Sequence, residues 1–249
     1  GGMPLCLSME TQEDKAKYLT SLFETTYLAD IINRNNLRGN AEIGELTDIL
    51  ASSIGSLTNP LKLSNTFGSV KNVKLSANTI SAYIGYLQDA FLVEKAIRYD
   101  IKGKKYINTP AKYYFVDVGL RNARLAFRQQ EYTHIMENII YNELRLRGYS
   151  VDVGVVESIA KENGISTRKK YEVDFVVNIG NRRYYIQSVY NIPDAEKIAE
   201  EQASLLAIND AFRKIIIVNQ SILSGYNEKG ILLVSLKDFL MSPETALNY

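Results

Sequence analysis

The chain has 249 residues, 46% hydrophobic and 23% charged, enough for a sizeable core and in the range of one large or two modest folded domains. Lys and Arg total 29 against 28 for Asp and Glu, so no global charge draws the chain to nucleic acid or anionic membrane, and any such binding needs a local patch. One cysteine, Cys6, and one histidine, His134, exclude an internal disulfide and zinc modules built on Cys or His, and point to a cytoplasmic, reducing home.

Thr11 to Arg34 carries apolar residues at helical spacing (Tyr18, Leu19, Leu22, Phe23, Tyr27, Leu28, Ile31, Ile32), and Thr11 with Asp14 forms a capping-box pattern. A long amphipathic helix is expected over this stretch, within a first segment 1–39. Asn40 is placed to cap a second helix with Ile43, Leu46, Ile49 and Leu50 inward, and Asn59-Pro60 opens a third. Ser76 caps a fourth, Ala77 to Asp89, which buries Ile80, Ile84 and Leu87 and shows Asn78, Ser81, Gly85 and Gln88 on its other side.

Two extended runs follow, Phe91 to Tyr99 and Tyr106 to Phe115, joined by the basic turn from Asp100 to Lys105. Three helices and a hairpin are the order of a winged helix, assigned here to residues 40–116. In such a module the last helix enters a major groove and the wing tip touches phosphate. Asn78 and Ser81 on the helix, and Lys102, Lys104 and Lys105 at the turn, are therefore the candidate nucleic-acid contacts. The helix face offers amides and hydroxyls but no Arg or Lys, so solvated lysines on a protein-binding module are an equal reading.

A second domain is expected over 117–249. A helix from Thr133 to Arg147 ends at Gly148, strands follow near Tyr149 to Val156, Tyr171 to Asn178 and Arg183 to Tyr190, and Glu157 to Lys170 reads as a polar loop. A helix from about Asp194 to Ala207, strands at Lys214 to Val218 and Ile231 to Val234, and a last helix opened by Ser235 and Asp238 complete the order. The fold class is α/β: a helical winged-helix unit, then α-β-β-β-α-β with a mixed sheet.

Gly180-Asn181 suits a two-residue hairpin loop, which pairs Ile179 with Arg182 and, counting outward, sets Asp174 opposite Gln187 and Glu172 opposite Val189. Side chains so placed lie ~5 Å apart and can share a cation. Glu137 shares a helix face with Ile140, Tyr141 and Leu144, a carboxylate on an apolar stripe that needs a partner: a cation shared with Asp174, a nearby arginine, or solvent reached by snorkelling.

Glu137 on its helix, Asp174 in EVDFVV and the run YYIQSVY resemble the PD-(D/E)XK, or restriction-endonuclease-like, fold. More broadly, GGMPL, LSANTISAYIGYLQDAFLV, KYYFVDVGLRN, ENIIYNEL, EVDFVV and IQSVY make nearly the whole chain similar to the carboxy-terminal part of prokaryotic AAA-family ATPases. There a P-loop module precedes a winged helix and a nuclease-like domain of unknown function. The resemblance implies that this chain is a fragment or a stand-alone relative, with GGMPL the tail of the ATPase module unless Gly1-Gly2 is foreign to the natural chain. No G-x-x-x-x-G-K-[ST] loop occurs, so ATP would enter only through that other module.

Carried over, Glu137 matches the helix glutamate and Asp174 the strand aspartate, the expected ligands of Mg or Mn. Gln187 and Val189 stand at the Glu and Lys positions of E-x-K, and both depart from it. Phosphodiester cleavage needs a cation to position water and offset charge, and valine supplies none. Lys169, Lys170 and Arg183 are the cations near enough in sequence to substitute, without support from spacing. The leading expectation is a non-catalytic, nuclease-like and winged-helix region of an ATPase acting in DNA binding or regulation. The alternatives are an active Mg- or Mn-dependent nuclease using Glu137, Asp174 and Gln187, and a protein-interaction module that contacts the ATPase module or forms a homo-oligomer without nucleic acid. No apolar run is long enough to span a bilayer.

Overall fold

A computed structural model describes residues 1–37, 40–71, 73–129, 131–162, 165–191 and 195–242. After a 3-10 turn at Pro4–Ser8 come helices α1 (Gln12–Leu22) and α2 (Ala29–Arg34), continuous through a π segment at Phe23–Leu28, then α3 (Asn40–Ser52), α4 (Pro60–Thr66) with a second π segment at Phe67–Lys71, and α5 (Ala77–Asp89). Strands β1 (Val93–Asp100) and β2 (Lys105–Phe115) precede α6 (Val118–Arg124) and α7 (Tyr132–Leu146). The chain continues with β3 (Ser150–Glu162), β4 (Ile165–Ile179), β5 (Arg182–Val189), α8 (Ala195–Leu206), β6 (Arg213–Val218), β7 (Gly225–Tyr226), β8 (Leu232–Ser235) and α9 (Leu236–Met241).

The helix starts are set locally. Thr11 accepts from the Asp14 amide at 3.0 Å, Asn59 from that of Lys62 at 2.8 Å, Ser76 from that of Thr79 at 3.0 Å and Ser235 from that of Asp238 at 3.0 Å. Each meets one main-chain donor that a helix end leaves open. Asp117 does the same for the Leu120 amide at 2.7 Å and opens α6, a helix not expected from the sequence. The Asn40 side chain and Asp194, both expected at helix starts, lie outside the described residues.

The chain divides into two compact units, one of residues 1–95 and 109–138, the other of 96–108 and 139–249. The sequence boundaries at 39/40 and 116/117 rest on element order and these units on contacts, so they cut the chain differently. The first unit is helical, with Ile43, Leu46, Leu50, Phe67, Ile80, Ile84 and Leu87 in one core. Inside it Arg121 is fully buried, its Nε donating to the Ala51 carbonyl at 2.7 Å and its Nη1 to the Gln129 carbonyl at 2.9 Å.

The described strands form one eight-stranded mixed sheet in the order β2-β1-β3-β4-β5-β6-β8-β7. The fold is mixed α/β, as expected. One finding corrects the sequence reading. Of residues 157–170, expected as a polar loop, 157–162 and 165–170 extend β3 and β4 into a long antiparallel pair, with Glu157 opposite Lys170 and Ser158 opposite Lys169. Main-chain bonding holds such a ladder even where its side chains are polar. The β1–β2 hairpin also joins the sheet: Arg98, Tyr99 and Asp100 pair in parallel with Val153, Gly154 and Val155, so the hairpin tip belongs to the second unit. Among the described residues, no helix is long and apolar enough to cross a membrane.

Candidate functional site

The β4–β5 hairpin has the expected register, from Ile179 opposite Arg182 to Phe175 opposite Ile186. Gly180 takes a φ of +56° at the turn, which a side chain would strain. One step beyond the last of these pairs, side chains take over from the main-chain ladder. The Asp174 amide donates to Gln187 Oε1 at 3.3 Å, and the Ser188 amide donates to Asp174 Oδ2 at 2.8 Å. Asp174 and Gln187, 9% and 8% exposed, thus lock the strands to each other.

Gln187 is further committed. Its Nε2 donates to Glu201 Oε2 on α8 at 3.1 Å, and Ser204 Oγ reaches its Oε1 at 3.5 Å. A metal ion at that carbonyl would have to displace two donors. Val189, on the same strand face, is 4% exposed in an apolar cluster with Val173, Leu205, Ile216 and Val218. The residue that the resemblance sets at a nuclease's lysine position is thus part of the core. Glu172 does not pair with Val189 in the described ladder; its partner is Val155 on β3.

Glu137 finds its partners inside the first unit. Lys112 Nζ donates to its Oε1 at 2.8 Å and the Tyr114 hydroxyl to the same oxygen at 2.5 Å. All three are buried, at 6%, 4% and 0% exposure. The partner that the apolar stripe demanded is therefore a lysine two residues from a tyrosine on β2, where period-two alternation places both on one face. Neighbouring Asn138 acts as a substitute strand, accepting from the Phe115 amide at 2.9 Å and donating to the Phe115 carbonyl at 2.7 Å. Glu137 lies in the first unit and Asp174 and Gln187 in the second. Among the described residues no three His, Cys, Asp or Glu side chains are arranged to hold a metal ion.

Lys169, Lys170 and Arg183, the cations weighed as stand-ins for a nuclease lysine, each have neighbours of their own. Lys169 Nζ lies 5.2 Å from the centre of the Tyr171 ring and Lys170 Nζ 3.7 Å from a Glu157 carboxylate oxygen. Arg183 is four residues from Gln187 along β5, about 13 Å. Its Nε donates to Asn178 Oδ1 at 2.8 Å, and its guanidinium lies 4.9 Å from the centre of the Tyr99 ring and 5.6 Å from that of Phe212. Asp152, in the same unit, is 8% exposed; burial lifts its carboxyl from 3.8 to about 6, against the opposing pull of Arg183 and Arg145.

Of the candidate nucleic-acid contacts, Asn78 and Ser81 are exposed on α5 in the first unit. Lys104 and Lys105 are exposed at the hairpin tip in the second, while Lys102 donates through Nζ to the Glu157 carbonyl. Lys112, Tyr114, Asn138, Ser188, Glu201 and Ser204 are the residues that sequence reasoning missed. Only the Lys112/Tyr114 alternation was a usable signal.

The family described as Domain of unknown function (DUF8612) matches residues 1–131, more than half of the chain. The chain belongs to that family. The matched stretch ends just before the helical unit does, so it covers most of that unit and little of the second. An uncharacterized protein of Haemophilus influenzae is 35% identical over 245 residues, covering 97% of this chain and 56% of that protein. Uncharacterized protein MJ1544 of Methanocaldococcus jannaschii is 28% identical over 239 residues, covering 96% and 50%. The chain thus spans about half the length of the curated relatives it matches. Among solved structures, protein VC1899 from Vibrio cholerae covers 94% of this chain and 55% of its own at 11% identity and a TM-score of 0.27, a likeness on which no argument rests.

Proposed function

We propose that this chain is the non-catalytic, nuclease-like and winged-helix carboxy-terminal region of a larger ATPase-linked protein, working in DNA binding or its regulation in the cytoplasm. The observation that carries the non-catalytic part is Val189. Its burial among Val173, Leu205 and Val218 leaves no place for the ammonium that offsets charge in phosphodiester cleavage. Gln187 adds to this, because its amide bridges the Asp174 main chain to Glu201 and serves as structure. For the ATPase link, support comes from the resemblance of nearly the whole chain to such carboxy-terminal regions and from relatives about twice its length.

For DNA, support is the exposed polar face of α5 and the exposed Lys104 and Lys105. In this reading the wing doubles as an edge hairpin of the sheet. Fluorescence anisotropy with a labelled duplex across a salt series tests it. Binding at low salt that weakens steadily with salt is expected, with Lys104→Ala/Lys105→Ala shallowing the log–log slope by about two. Asn78→Ala/Ser81→Ala should weaken binding at every salt concentration. No binding at low salt, or binding indifferent to salt, overturns the DNA part.

A further inference from the structure

Past the body of the sheet, β3 and β4 continue as a pair of their own. β1 runs beside β3 only as far as Val155, and the β5 ladder follows β4 only back to Phe175. β3 and β4 go on through six further pairs, from Glu157–Lys170 to Glu162–Ile165. The apolar cluster on this stretch stops at Val156 and Tyr171. Beyond those two, Glu157, Arg168, Lys169 and Lys170 are exposed. At ~3.4 Å per residue the two-stranded arm is about 20 Å long.

The root of this arm gathers cations from two distant segments. The Ile101 amide donates to the Val155 carbonyl at 2.9 Å and Lys102 Nζ to that of Glu157, which sets the turn carrying Lys104 and Lys105 against the base of the arm. Turn and arm belong to the same unit. With 29 basic against 28 acidic residues in the whole chain, this concentration is local. The described acids here are Asp100, Glu157 and Glu172. Asp100 accepts from the Gly103 amide at 2.9 Å, and Glu157 lies 3.7 Å from Lys170, a surface pair more than half exposed on both sides that yields to a stronger anion. Strand alternation divides the arm's own cations. Lys169 shares a face with Tyr171, whose ring centre is 5.2 Å from its Nζ, and Arg168 and Lys170 share the opposite face.

We propose that this arm enters the major groove of duplex DNA, the cations on its two faces meeting the two phosphate walls and Lys104 and Lys105 meeting the backbone at the groove's mouth. The groove, ~12 Å wide and ~8.5 Å deep, admits a two-stranded ribbon, and an arm of about 20 Å is longer than the groove is deep. Cations on both faces suit a ligand that flanks the arm on both sides. A flat anionic surface such as a membrane would engage one face and leave the other idle. An RNA duplex has a major groove too deep and narrow for the same entry. The inference rests on the DNA reading and adds a contact to it, made by residues outside α5.

Fluorescence anisotropy of the full chain with labelled DNA and RNA duplexes of one sequence across a salt series, beside sedimentation with phosphatidylserine vesicles, tests it. The natural chain is expected to bind the DNA duplex about tenfold or more tightly than the RNA duplex. Arg168→Ala/Lys169→Ala/Lys170→Ala should shallow the log–log salt slope for DNA by about two to three and bring DNA affinity down towards that for RNA. Its melting temperature should not change, since all three residues are exposed. Arg168→Lys/Lys169→Arg/Lys170→Arg should keep the natural slope. A triple alanine variant with the natural slope, beside an Asn78→Ala/Ser81→Ala variant that binds more weakly, overturns the arm and leaves the DNA reading standing. No duplex binding by the natural chain at low salt removes both. RNA bound as tightly as DNA, or vesicles that hold the natural chain as tightly as the duplex does, overturns the groove assignment.

Discussion

The buried pair of Lys112 and Glu137 gives the sharpest handle on whether Glu137 is structural. Both side chains are under 8% exposed, at 2.8 Å, with the Tyr114 hydroxyl on the same carboxylate oxygen. Removing one charge strands the other out of water, so Lys112→Met and Glu137→Gln should each cost about 3 to 5 kcal/mol. Replacing both, as Lys112→Met/Glu137→Gln, leaves no buried charge without its counter-charge and should cost far less than the sum, a coupling of about 2 kcal/mol or more. Urea unfolding followed by far-UV circular dichroism reads this, since the chain has no tryptophan. Tyr114→Phe, losing one hydrogen bond to a charged group, should cost about 1.5 to 3 kcal/mol. Additive single variants, or a Glu137→Gln variant as stable as the natural chain, refutes the reasoning. So does Mn²⁺ stabilising the natural chain but not Glu137→Gln, because the carboxylate would then be a metal ligand.

Other consequences are as direct. Asp152 binds its proton more tightly folded than unfolded, so between pH 3.8 and about 6 stability falls as pH rises, and the penalty is fully present above about 6. Asp152→Asn should therefore raise stability at pH 7 by up to ~3 kcal/mol and leave it unchanged below pH 3.8, measured as denaturation midpoints across pH; a gain that persists at acid pH contradicts the assignment. Val189→Lys should lower stability by several kcal/mol, because it sets an ammonium among Leu205, Ile216 and Val218, and calorimetric melting checks it. A Val189→Lys chain that melts like the parent would mean the pocket can hold a cation. Asn138→Ala leaves the amide and carbonyl of Phe115 without their side-chain partner and should cost about 2 to 4 kcal/mol, with faster amide exchange at Phe115. Unaltered exchange there would show that water serves as well.

What the sequence disclosed was local. Thr11, Asn59, Ser76 and Ser235 announce their helices because a cap acts within three residues, and Gly180-Asn181 sets the register through Phe175 and Ile186 because the turn does. Ile140, Tyr141 and Leu144 are buried where a 100° periodicity puts them. What stayed hidden needs residues far apart in the chain to meet. Lys112 becomes Glu137's partner only once β2 lies along α7, and Arg213 comes opposite Tyr184 only once β6 runs parallel to β5. The polar run at 157–170 misled for another reason. Its strands are held by main-chain bonding, to which hydrophobic patterning is blind.

The departure of Val189 from the E-x-K pattern that the resemblance implies was legible; the non-catalytic meaning proposed for it leans on packing, since Val189 lies buried with Val173, Leu205, Ile216 and Val218. Incubation of the purified chain with plasmid and single-stranded DNA in Mg²⁺ and in Mn²⁺, beside Asp174→Ala, tests that meaning most directly. The account predicts that both proteins leave the DNA as intact as buffer does. Cleavage by the natural chain that vanishes in Asp174→Ala contradicts it.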